Sequence, residues 1–154
     1  MYRRTTSFFI FLVMMILLSV NTSNAQQSPL SLAEAKKALT AAETEATRIG
    51  VALTCAVVDL RGDLIALSRM DQARFFTVKI AQGKARASAA FGAPSGNLSA
   101  VGAMGLGNAI EGEVFFVQGA VPINKNDQLS GAIGCSGGSG QQDEEAANAG
   151  VDAL

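Results

Sequence analysis

Gly134-Cys135-Ser136-Gly137-Gly138 sets a serine in the G-x-S-x-G spacing of a nucleophile elbow, between a strand-like run and a helix-like one. Such a serine needs a general base, ordinarily an imidazole, and the 154-residue chain has no histidine. The string therefore reads as a glycine turn rather than a hydrolase centre. The same lack removes imidazole zinc sites, and Cys55 and Cys135 stand too far apart in sequence to form a metal-binding pair. Gly105-Leu106-Gly107 is no dinucleotide loop, because Ile110 replaces the third glycine and no strand precedes it.

Two groups of residues keep a binding chemistry open. The backbone amides of Gly137, Gly138 and Ser139 lead towards the acidic start of a helix, where a carboxylate or other anion can be held, although Asp143 competes for the same helix end. Arg74, Lys79, Lys84 and Arg86 form a basic cluster that can hold a small carboxylate or can simply be a solvated helix face. Met70, inside Arg69-Met70-Asp71, either faces a pocket or only helps join a strand to the next helix.

These residues need elements to position them. Ser31-Leu32-Ala33-Glu34 has capping-box spacing, and Leu32, Ala35, Leu39, Ala42, Ala46 and Ile49 recur at helical spacing until Gly50. Val51 to Asp59 and Leu64 to Met70 are strand-like runs around an Arg61-Gly62-Asp63 turn, which predicts a hairpin. A second amphipathic helix is expected from about Phe75 to Phe91, with Phe76, Ile80, Gly83, Ala87 and Ala90 on one side and Lys79, Gln82 and Arg86 on the other. Residues 92 to 112 hold six glycines and read as a long loop with room for one helical turn. Glu113 to Gln118, Val121 to Asn124 and Leu129 to Cys135 read as three more strands, and Asp143-Glu144-Glu145 opens a last helix. Hairpin-linked strands with helices between them predict an α+β fold with a five-stranded antiparallel sheet.

The N-terminus carries Arg3 and Arg4, an apolar run from Phe8 to Val20, and small residues at the end of Ser23-Asn24-Ala25. That is the pattern of a signal peptide cleaved after Ala25, since an apolar core of about 13 residues is short of the roughly 20 needed to span a bilayer. A periplasmic or secreted protein is expected, with no membrane attachment after cleavage. Residues 26 to 154 then form a single domain whose ten basic and thirteen acidic residues give a net charge of −3, which argues against general nucleic-acid binding. In an oxidising compartment Cys55 and Cys135 either pair or sit as two small buried apolar residues.

Several strings, in this order, resemble the GlcG/HbpS-like proteins, also described as haem-degrading or haem-binding domains. They are Leu32-Ala33-Glu34-Ala35, Ala56-Val57-Val58-Asp59 with Gly62, Arg69-Met70-Asp71, and Gly83-Lys84-Ala85-Arg86 with Ala89-Ala90. Val121-Pro122-Ile123 follows, then Gly131 to Gly138, Asp143-Glu144 and Ala149-Gly150, so the resemblance spans nearly all of the chain after the leader. It implies a profilin-like sheet with packed helices, assembly into homo-oligomers, and binding of haem, a related tetrapyrrole or iron.

Residues expected to touch such a cofactor are Met70, Lys79, Lys84, Met104, Gly137 and Gly138. Haem iron is usually held by His, Cys, Met or Tyr. This chain has no histidine, and its one tyrosine, Tyr2, lies in the leader. The remaining ligands are Met70, Met104, the cysteines or a lysine, or else the ring is held by packing and propionate contacts. Glu111 and Glu113 offer hard oxygen donors to iron ions. Two other classes stay open: an enzyme or binder for a small organic acid of the glycolate type, with Lys79 or Lys84 as base or carboxylate anchor, and an oligomeric scaffold packing through Gly83, Ala85, Ala87, Ala89 and Ala90.

Overall fold

The structure, a computed structural model, describes residues 29–100 and 113–154. The expected signal peptide, Met104 and Glu111 lie outside the described residues. Helix α1 (Leu32–Arg48) begins as its capping box dictates: the Glu34 amide donates to Ser31 Oγ at 3.2 Å, and the Ser31 amide donates to the Glu34 carboxylate at 2.8 Å. Its buried stripe is Ala35, Ala38, Leu39, Ala42 and Ala46, while Leu32, expected on that stripe, is 51% exposed in the first turn.

Strands β1 (Thr54–Asp59) and β2 (Leu64–Arg69) form the expected hairpin, whose turn is closed by the Arg61 and Asp63 amides donating to Asp59 Oδ1. Helix α2 (Thr77–Phe91) ends at Gly92, where φ is 61°, and a short 3-10 turn (Ser95–Leu98) follows. Strands β3 (Ala120–Lys125) and β4 (Gln128–Ser136) reverse through Asn126 and Asp127, both at positive φ, the backbone that matches the twist of a tight hairpin. Helix α3 (Gly140–Asp152) is capped by Ser139.

The sheet has four strands in the order β2-β1-β4-β3, every neighbouring pair antiparallel, rather than the five expected. Glu113 to Gln118 is not a strand, because its polar backbone groups are satisfied elsewhere. The Phe115 amide donates to the Gly83 carbonyl, and the Val117 carbonyl accepts from Ser95 Oγ at 2.7 Å. The segment lies across α2, with Phe116 buried against Ala87 and Leu98. Apolar side chains made it strand-like in sequence, yet they cover a helix instead of extending the sheet.

Helix α2 lies on one face of the sheet, with Ala85 and Ala89 against Val58 and Ala132. A Cβ on Gly134 would stand 2.6 Å from the Ala81 carbonyl, so only glycine lets the helix backbone rest on β4 there. Helices α1 and α3 cover the other face around Val57, Ile123 and Ile133. Cys55 and Cys135 are direct cross-strand partners on that second face and form a disulfide, which decides between the two readings of the cysteines. Gly83, Ala85, Ala87 and Ala89 are buried within the same chain, so most of the small-residue stripe is used in packing α2, while Ala90 is exposed.

Two expectations follow. The disulfide closes a sequence separation of 80 residues, so reduction is expected to remove roughly 4 kcal/mol of stability; urea unfolding with and without dithiothreitol measures it, and coincident curves would refute it. Hydrogen bonds from Lys125 and Ser31 hold the Glu34 carboxyl at about 2, below its ordinary 4.5. A lowered folded-state value stabilises above 4.5 and loses that effect as pH falls through about 2. Glu34→Gln should therefore lower the thermal midpoint at pH 7 and make no difference near pH 2, whereas a constant deficit across that range would contradict the assignment.

Candidate functional site

Lys84 lies on the apolar side of α2, i+4 from Ile80 and i−3 from Ala87, so folding carries its ammonium into the interior. The Nζ donates to Asp143 Oδ2 at 2.7 Å and to the Cys135 carbonyl at 3.1 Å. The Lys84 and Asp143 side chains are only 5% and 3% exposed. Asp143 Oδ1 in turn accepts from the Gly138 amide at 2.9 Å. A buried ion pair is tolerated when its remaining polar atoms are hydrogen-bonded in this way.

The pair joins helices on opposite faces of the sheet, meeting past the end of β4. Gly119 makes the passage, since a Cβ there would stand 2.6 Å from Lys84 Nζ and 2.7 Å from Asp143 Cβ. Its φ of 128° also favours glycine.

Above the pair opens a groove of about 340 Å³. One wall is apolar, from Phe76, Ile80 and Val117. The opposite side is the Ser136-Gly137-Gly138 turn, with Arg74 exposed at the mouth. The charged side chains lining it are Arg74, Lys84 and Asp143, which leaves one net positive charge. Arg74 has no ion-pair partner among the described residues. Thr77, also in the lining, is tied down: its hydroxyl donates to the Arg74 carbonyl at 2.6 Å, which leaves Thr54 as the donor in the 2.7 Å contact between the two threonines.

Of the residues expected to touch a cofactor, Lys84, Gly137 and Gly138 come together in this groove. Lys79 is exposed and is not part of the groove lining. Met70 packs against the α1 side of the core, where its sulfur accepts the Leu53 amide at 3.3 Å. Met104 lies outside the described residues. The basic cluster is dispersed: Arg86 turns away to the Gly62 carbonyl and to Glu113. The amides expected to form an anion nest are already engaged, Gly138 by Asp143 and Ser139 by Gln142. Among the described residues no three His, Cys, Asp or Glu side chains converge as a metal-sized group.

Asp143 was legible only as a helix-start acid, because its partner lies 59 residues away. The signal for a buried pair was a lysine standing on the apolar side of α2. Replacing Lys84 by Met should cost about 3–5 kcal/mol by stranding Asp143, and the Lys84→Met, Asp143→Leu double variant should regain much of that. Chemical denaturation of the three proteins measures the effect, and a silent single variant would refute the burial.

The family model described as haem degrading protein HbpS-like matches residues 30–152. Klebsiella pneumoniae protein ORFY has a similar structure, at a TM-score of 0.78 and 31% identity, covering 84% of this chain and 94% of that one. The double mutant of Streptomyces reticuli HbpS superposes at 0.76 with 29% identity over 84% of this chain and 89% of that one. A PduOC–haem complex does so at 0.76 with 26% identity over 82% and 96%. With its α+β fold and a family match that spans nearly all of the described residues, the chain belongs to the HbpS-like family.

Proposed function

We propose that this is an exported binding protein for haem or a related tetrapyrrole, taken up in the groove between α2, Val117 and the Ser136–Gly138 turn. The observation that carries the reading is the pairing of an apolar wall with an unpaired arginine in one groove, inside a family with a haem complex among its structural relatives. Phe76, Ile80 and Val117 suit the face of a flat apolar ring. Arg74 suits a propionate. A disulfide agrees with export to the periplasm or the medium after cleavage at Ala25. Assembly into a homo-oligomer belongs to the same proposal, supported by exposed apolar side chains such as Phe75, 83% accessible.

The donor set fits the ring and its carboxylates better than it fits the iron. Both sulfurs of the disulfide lie on the other sheet face, the Met70 sulfur is engaged, and Lys84 Nζ is held by two acceptors. Among the described residues none of the usual axial ligands reaches the groove. Lys84 is therefore paired with Asp143 rather than available to iron, and the groove's surplus positive charge is that of Arg74. An ammonium donating to Asp143 and a carbonyl has no lone pair with which to act as a base.

Titration of the purified exported protein with hemin, followed at the Soret band, tests the reading. One saturable site is expected, weakened by Arg74→Ala and indifferent to Met70→Ala. Binding that fails to saturate would overturn it.

A further inference from the structure

We infer that the side of the groove opposite the apolar wall is a carboxylate subsite built on Ser136, so that its ligand is read by an acid group and not by a metal. This rests on the groove proposed above, but it is argued from one side chain that neither the fold nor the ion pair uses. Ser136 is the last residue of β4, 5% exposed, and part of the groove lining. Its hydroxyl has no hydrogen-bond partner among the described residues. Thr54, its cross-strand neighbour, is by contrast bonded to Thr77. The Ser136 hydroxyl is not a stranded buried group, since no fully buried side-chain oxygen among the described residues lacks a partner; it lies in the groove lining, where it can donate to a ligand.

The surroundings select the class of ligand. Asp143 would repel an acid, yet both of its oxygens are occupied, Oδ2 by Lys84 and Oδ1 by the Gly138 amide. Lys84 donates to the carbonyl immediately before Ser136, so its charge stands next to the hydroxyl. Arg74 adds an unpaired guanidinium at the mouth. A carboxylate can thus accept from Ser136 Oγ within a positive field while the apolar body attached to it lies on Phe76, Ile80 and Val117. A neutral ester of the same body keeps the apolar contact and a neutral hydrogen bond but loses the charge-assisted one. Both the propionate of a tetrapyrrole and the carboxylate of a small apolar acid have this chemistry.

The test compares hemin, metal-free protoporphyrin IX, protoporphyrin IX dimethyl ester and propionate on the wild-type protein and on Ser136→Ala. Protoporphyrin IX is expected to bind within about threefold of hemin. The ester should bind roughly ten- to a hundredfold more weakly, the range of one hydrogen bond to a charged group. Ser136→Ala should weaken the acid more than the ester. Equal binding of ester and acid to the wild-type protein, a comparison that needs no variant, would overturn the subsite and leave tetrapyrrole binding standing. Propionate shifting the Gly137 amide resonance in the wild type but not in Ser136→Ala, while neither hemin nor protoporphyrin IX binds, would uphold the subsite and overturn the tetrapyrrole reading. If neither propionate nor a porphyrin acid binds, both fall.

Discussion

The ion pair between Lys84 and Asp143 is the constraint around which this fold closes. Each partner belongs to a helix on a different side of the sheet, and neither charge reaches solvent. Taking two charges from water costs several kcal/mol per ion, so the arrangement survives only because the Cys135 carbonyl and the Gly138 amide complete the hydrogen bonding. Those two groups flank Ser136 and Gly137 at the end of β4. The pair thereby sets where the last strand stops, how the Gly137-Gly138 turn leaves the sheet, and where α3 starts. It also explains why residue 119 has no side chain, since any Cβ would collide with the lysine nitrogen.

The groove is a consequence of that closure. With the carboxylate and the ammonium neutralising each other beneath it, the surplus charge comes from Arg74 and the uncommitted polar group is Ser136. The apolar wall arises for a separate reason. Residues 113–118 cross α2 and bring Val117 to the groove with Phe76 and Ile80. A segment that had joined the sheet as a fifth strand would have carried Val117 elsewhere. The departure from the expected five-stranded sheet and the existence of the wall are therefore one fact.

Ser136 drew notice in the sequence for a nucleophile spacing that lacks its base, and the structure gives it another chemical setting. Lys84 stood out as one of four cations on or near one helix, yet those four end in four different environments: Lys79 in solvent, Lys84 in the interior, Arg74 at the groove and Arg86 on the β1–β2 turn. Helical periodicity tells which side of a helix a residue takes but not what stands opposite. The cysteines show the same limit, because two residues far apart in sequence become cross-strand partners only once β1 and β4 pair in one register.

Local physics made the rest legible from the sequence alone. The capping box at Ser31 and Glu34, the glycine and Asn-Asp turns, the helical spacing of small residues and the β-branched, apolar runs depend on neighbours within a few residues, and they predict three helices and hairpin-linked antiparallel strands, one strand more than the sheet holds. The order of the strings was enough to indicate the family. Tertiary structure alone decided the disulfide, the burial of Lys84 against Asp143, the loss of 113–118 from the sheet and the place of Ser136 in the groove. Each of these depends on contacts between segments distant in sequence, where the free energy of a group is set by what desolvates it and which partner remains within reach.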